Sequence, residues 1–193
     1  MHQVFTTARD GLYLPFLAPF YNNFAQPVGW FLFRLVIGGV LITYGWDKVV
    51  DPMALSGFVE GLGVSPGWLF SPLIAYTNFL GGLLIVLGLF TRPAALANAA
   101  MLLVTYWFHV THPFGDVFLT QAGIDYLTAN PDLLTAAGQQ HLLPDGGAAF
   151  LNGPTGVQPK AELNSLFWAA GAAVIAALGG GAISLDAKMR KTF

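Results

Sequence analysis

Few residues in this chain could do chemistry, and the apolar sequence around them makes each one conspicuous. Arg34 is the one charge inside the apolar run 29–46, and Lys48 follows it beside Asp47. Asn78 is the one strongly polar residue of a second apolar stretch. His109 and His112 end a third, and Glu162 and Asn164 open a fourth. A cation in an apolar run has two readings, and both stay open in the sequence. Its head snorkels to the nearer interface, or it faces a protein interior and pairs or binds there. On a helix Arg34, Gly38, Leu41, Gly45 and Lys48 share one stripe, and glycines on a charged stripe suit contact with protein. His109 and His112, three residues apart, can face one way and exchange protons near neutral pH. With Glu162, Asp116 or His141 as further donors they could hold a metal; the plain alternative is two interfacial histidines at a helix end, and no metal is expected. Lys48 beside Asp47 and Asp51 has its own plain reading, a local charge pairing of about 0–1 kcal/mol. That for Asn78 is a bond between helices, roughly 0.6 kcal/mol in membranes. A quinone needs apolar walls and a few hydrogen-bonding or proton-carrying groups. Arg34, Lys48, Asn78 and His109 are the candidate contacts for one.

The elements that position these groups follow from composition. Of 193 residues 55% are apolar and only 9% are charged, against about 25% charged in a soluble domain. Mean hydropathy is +0.61. The expected class is all-α, an integral membrane four-helix bundle interacting with lipid and with no nucleic acid. The absence of cysteine excludes thiol–disulfide relays, thiolate metal sites and structural disulfides.

Along the chain, residues 1–26 lack the pattern of a secretory signal. Pro15 and Pro19 disfavour one continuous helix there, so 1–26 is expected to be an interfacial segment anchored by Tyr13, Phe16, Phe20 and Tyr21. Residues 27–193 form the transmembrane domain. Its first helix starts at Pro27, and its second runs from Trp68 to Phe90. The third runs from Ala94 to about Val110, and the fourth from Leu163 to about Ile183. The first run is about 18 residues, near the ~20 that cross roughly 30 Å of hydrocarbon. Between helices 3 and 4 lies the loop 111–162, rich in Gly, Pro, Asp and Asn, with short helices between Gly123 and His141 and a break near Asn130. About fifty residues exceed what a connector requires. Arg9, Arg92, Lys188, Arg190 and Lys191 fall on one side, and Lys48 and Lys160 on the other. The positive-inside rule then places both termini in the cytoplasm and the long loop outside.

Several pieces together resemble the DoxX/DoxD-like family of small four-helix membrane proteins. They are Arg34-Leu-Val-Ile-Gly-Gly39, Gly45-Trp-Asp-Lys48 with Asp51-Pro52, and Phe79-Leu-Gly-Gly-Leu83. Leu87-Gly-Leu-Phe-Thr-Arg92, Glu162-Leu-Asn164 and Ile183-Ser-Leu-Asp186 complete the set. The resemblance covers about 28–110 and 160–188. It implies four spans, a bacterial or archaeal inner membrane, and a link to respiratory or sulfur redox chemistry. The family includes the membrane subunit of thiosulfate:quinone oxidoreductase. Where relatives commonly carry Glu before the helix-two Gly-Gly, this chain has Asn78, and its 111–162 loop is longer than in a minimal member. The first expectation is a quinone-associated subunit of a membrane oxidoreductase, with no intrinsic cofactor and a partner subunit. The alternative is a non-catalytic accessory or assembly protein docking onto a larger membrane complex. A transporter ranks third, because no pair of broken helices marks a site.

Overall fold

The computed structural model describes residues 11–115 and 118–190. Arg9, Asp116 and Lys191 lie outside the described residues, as do the first ten residues of the N-terminal segment. Among the described residues every regular element is helical. The elements are α1 (Gln26–Val50), α2 (Ser56–Gly61), α3 (Gly67–Leu87), α4 (Thr91–Thr111), α5 (Gln121–Ala129), α6 (Ala136–Leu142), α7 (Ala148–Asn152), α8 (Val157–Leu178) and α9 (Leu185–Lys188). Four helical runs are long and apolar enough to cross a membrane: Pro15–Val50, Gly67–Leu87, Thr91–Thr111 and Ala148–Leu178. A run of 21 residues rises about 31 Å, one hydrocarbon thickness.

Several boundaries differ from the sequence expectation; α3 ends at Leu87 rather than Phe90, and α4 starts at Thr91 rather than Ala94. The prolines before α1 do not break the helical run. Pro15 opens a 3₁₀ turn (Pro15–Leu17), Pro19 sits in the first turn of Ala18–Phe20, and a π turn (Tyr21–Ala25) leads into α1. Pro15 falls at the start of the run, where its missing N–H would be unpaired anyway. Helix α8 starts six residues before Leu163, with Pro159 in its first turn, and stops at Leu178 rather than Ile183. It ends on Gly179, at φ +82°.

The chain forms two compact units. One comprises the described residues up to Met101 together with those from Trp168 onward; the other is Leu102–Phe167. In the first unit α1 buries Arg34, Ile37, Gly38, Leu41 and Gly45, close to the predicted stripe. Its partner is α3, and the contact is backbone to backbone. A Cβ on Gly45 would lie 2.6 Å from Phe79 N, and one on Gly82 would lie 2.8 Å from Gly38 O. The next glycine, Gly81, faces Asn98 of α4, and Gly171 of α8 lies against Ile37 of α1. Without a hydrophobic drive between helices in lipid, such close approach maximises dispersion contact. At the far end of α3, Ser71 Oγ donates to Pro52 O at 2.6 Å and accepts from Leu55 N at 3.2 Å, pinning the turn before α2.

The second unit holds the loop. Thr120 and Thr135 cap α5 and α6 by accepting from Gly123 N and Gly138 N. The expected break comes between them, as a short 3₁₀ turn at Pro131–Leu133. Asp145 accepts from Gly147 N and Ala149 N, closing the turn into α7.

Candidate functional site

Arg34 faces protein. Its side chain is fully buried, and Nη2 donates to the carbonyl of Ile183 at 2.5 Å. The guanidinium lies against Gly88, where a Cβ would collide with Nη1. Gly88 has φ +69° and ends α3 as its left-handed C-cap. The cation therefore sits at the negative end of the α3 dipole, which stabilises it. The Phe31 ring lies 5.9 Å from the guanidinium carbon.

Asp186 completes this knot. One carboxylate oxygen accepts from Phe90 N at 3.0 Å. The other accepts from Thr91 N at 3.0 Å and from Thr91 Oγ at 2.7 Å. These donors are the orphan groups at the start of α4, where an anion is favoured. Asp186 N in turn donates to Gly88 O at 2.8 Å. Ser184 caps α9, its Oγ accepting from Ala187 N at 3.1 Å. The Gly88–Arg92 and Ser184–Asp186 pieces are thus two halves of one structure. Trp30 Nε1 ties α1 to the same end by donating to Gly179 O at 3.0 Å.

Farther along α3 and α4 an open groove of about 280 Å³ separates the two helices. Leu73, Leu80, Leu84, Ala94 and Ala97 line it together with Tyr76, Thr77, Gly81 and the buried Asn98. Gly81 has no side chain, and the space a Cβ would take there is occupied by the Asn98 amide. Asn98 is fully buried, and its Nδ2 donates to Thr77 O at 3.0 Å and to Ala94 O at 2.9 Å.

The four candidate contacts fall in different settings, and none of them lines this groove. Arg34 belongs to the knot. Asn78 is buried in the first unit, with Oδ1 lacking a hydrogen-bond partner. Lys48 is half-buried near the end of α1. His109 lies in the second unit, joined there to Glu162 through Gln158, a buried side chain that sequence reasoning overlooked. Gln158 Nε2 donates to His109 O at 2.5 Å and to Glu162 Oε1 at 2.6 Å, while its Oε1 accepts from Phe114 N at 3.2 Å. His112 stacks on Phe108, with ring centroids 5.0 Å apart. Among the described residues no three of His, Cys, Asp and Glu gather as metal ligands. Asn98 was visible in the sequence only as one amide in an apolar helix. Its signal was its placement two turns after the Thr91 start.

The model of the DoxX family matches residues 29–111, from α1 to the end of α4. The inner membrane protein YqjF of Escherichia coli (strain K12) is 35% identical over 85 residues, 44% of this chain. The match spans 64% of that relative, just under two thirds of its length. No solved structure matches the chain at a significant level. The matched residues contain Arg34, the Gly88–Arg92 turn and the whole groove: over this stretch the chain is similar to the DoxX family, and with its four apolar spans it is a multi-pass inner-membrane protein.

Proposed function

We propose that this protein is a quinone-associated subunit of an inner-membrane oxidoreductase, and that the groove between α3 and α4 receives the quinone. The observation that carries this reading is the make-up of the groove. It has aliphatic walls within two apolar spans, and its only polar groups are Tyr76, Thr77 and Asn98. A lipid-soluble ring with an isoprenoid tail fits that pattern. In this reading Arg34 supports the groove from a distance by fixing the turn from α3 to α4. Lys48, Asn78 and His109 remain candidate contacts. Both termini are cytoplasmic and the long loop is outside, supported by Arg92, Lys188 and Arg190 at one end of the spans against Lys48 and Lys160 at the other.

The test is quinone binding to the full chain in lipid nanodiscs, with short-tail ubiquinone and menaquinone as probes. Leu80→Trp should fill the groove from its exposed edge and weaken binding by about tenfold or more, with thermal stability unchanged. Wild-type affinity in that variant would remove the groove from the proposal.

A second reading has its own observation. In the second unit Phe114, Phe118, Tyr126 and Phe150 are exposed on a folded loop, as an apolar docking surface would be. The protein then acts as an accessory subunit held to a larger membrane complex by this loop. Replacing 120–158 with a short flexible linker should abolish copurification of that complex in mild detergent while membrane insertion persists. Copurification that survives the replacement excludes the reading.

A further inference from the structure

Among the described residues of the first unit, the charges are sorted by end. Asp47, Asp51 and Glu60 are exposed near Lys48, around the end of α1 and α2. At the other end of α3 lie Arg92, Lys188 and Arg190, all three exposed. Asp186, the carboxylate of the knot at that end, is buried and engages Phe90 N, Thr91 N and Thr91 Oγ with its two oxygens. It therefore lends the surface no exposed negative group.

Apolar side chains are interleaved with these cations. Phe90, Ile183, Leu185 and Met189 are between 38% and 49% exposed. Along α9 and its C-cap, Leu185, Lys188 and Met189 stand at i, i+3 and i+4 and share one face. The knot holds that face in place: Ser184 Oγ caps α9, and Asp186 N donates to Gly88 O. Cations alternating with apolar side chains at the end of a membrane span fit a bilayer interface, and their charge favours its anionic headgroups. A free phosphate would engage the cations but gain nothing from four exposed apolar side chains.

We infer that this end of the first unit docks anionic phospholipid. Arg92, Lys188 and Arg190 face the phosphate headgroups, and Phe90, Ile183, Leu185 and Met189 meet the acyl chains. The surface is separate from the groove, so it stands whether or not a quinone binds there.

The test is native mass spectrometry of the full chain released from nanodiscs of equal phosphatidylglycerol and phosphatidylcholine, with the retained lipids as the readout. One Lys or Arg close to an anionic surface favours association about fivefold. With three such cations the wild type should retain phosphatidylglycerol over phosphatidylcholine by about tenfold or more. Lys188→Gln combined with Arg190→Gln should lower that ratio about fivefold or more. Lys160→Gln, at an exposed cation of the second unit, should leave it unchanged. Equal retention of the two lipids by the wild type overturns the inference and leaves the face to an acidic protein segment. A ratio that survives the double variant, or falls as far in Lys160→Gln, places the preference elsewhere on the chain and overturns it too. Excess inorganic phosphate at constant ionic strength should not remove the preference; if it does, the surface is a general anion patch and not a lipid site. A thermal scan in detergent checks that the double variant is folded. Were it not, the wild-type ratio and the phosphate competition still decide.

Discussion

Asp186→Ala is expected to destabilise the first unit by about 3–5 kcal/mol, the range found when one member of a buried charged cluster is removed. Three donors lose their acceptor at once: Phe90 N, Thr91 N and Thr91 Oγ. Two of these are helix-start amides, and hydrogen bonds to a charged acceptor contribute about 1.5–3 kcal/mol each. Arg34 also loses its nearby anion. Its guanidinium would then rest on the Ile183 carbonyl and the end of α3 alone. Asp186→Asn keeps the shape and one acceptor oxygen, but turns an amide toward donors, so it should fall between wild type and alanine. The measurement is equilibrium unfolding in mixed detergent micelles, followed by tryptophan fluorescence. Trp30 reports locally, because its indole N–H is bonded at the same end of the unit. A cost below about 1 kcal/mol for Asp186→Ala, the size of one surface contact, would mean that the knot does not hold the chain end.

The knot also shows what periodicity can and cannot reveal. The α1 stripe was legible because 3.6-residue spacing puts Arg34, Gly38, Leu41 and Gly45 on one face, and glycine there has one physical use, close approach. That spacing suits a protein contact for the stripe, but it leaves the environment of Arg34 itself open and names no partner. The partner is a backbone carbonyl about 150 residues away, and no side-chain pattern marks a carbonyl. Asp186 and Thr91 are separated by 95 residues. The two pieces stand far apart in the sequence, and only the folded chain makes them one cap. The fourth helix was misplaced for a similar reason. Glu162 was a conspicuous polar start, whereas the actual start uses Pro159 and the neutral Gln158. The groove was harder still to see. It is lined by ordinary aliphatic residues of two helices beside the Gly81–Asn98 contact, and none of them alone differs from ordinary membrane packing.

Gly82→Leu should cost at least about 3 kcal/mol, the upper end of ordinary overpacking penalties. The cost is high because backbone has to move. A Cβ at Gly82 meets Gly38 O at 2.8 Å, Ile42 N at 2.9 Å and the Ile42 side chain at 3.0 Å. Two of those three atoms belong to the α1 main chain, which cannot rotate away as a side-chain tip can. Gly39→Leu is the internal control. It places the same side chain on α1, one residue after Gly38, where nothing lies within 4 Å. It should be neutral or slightly stabilising, since leucine exceeds glycine in helix propensity by several tenths of a kcal/mol or more. The same unfolding assay reads both variants, and equal losses would show that the α1–α3 contact is not the close packing described. A second effect follows from the geometry of α3. Gly81 and Gly82 are consecutive, about 100° apart on the helix, so one faces α4 and the other α1. A leucine at Gly82 that drives α3 off α1 displaces the helix that also forms one wall of the groove. Quinone binding should therefore fall in Gly82→Leu and stay at the wild-type level in Gly39→Leu. A Gly82→Leu protein that unfolds easily yet binds quinone normally would separate the groove from the α1–α3 contact, leaving α3 and α4 to define the site without support from α1.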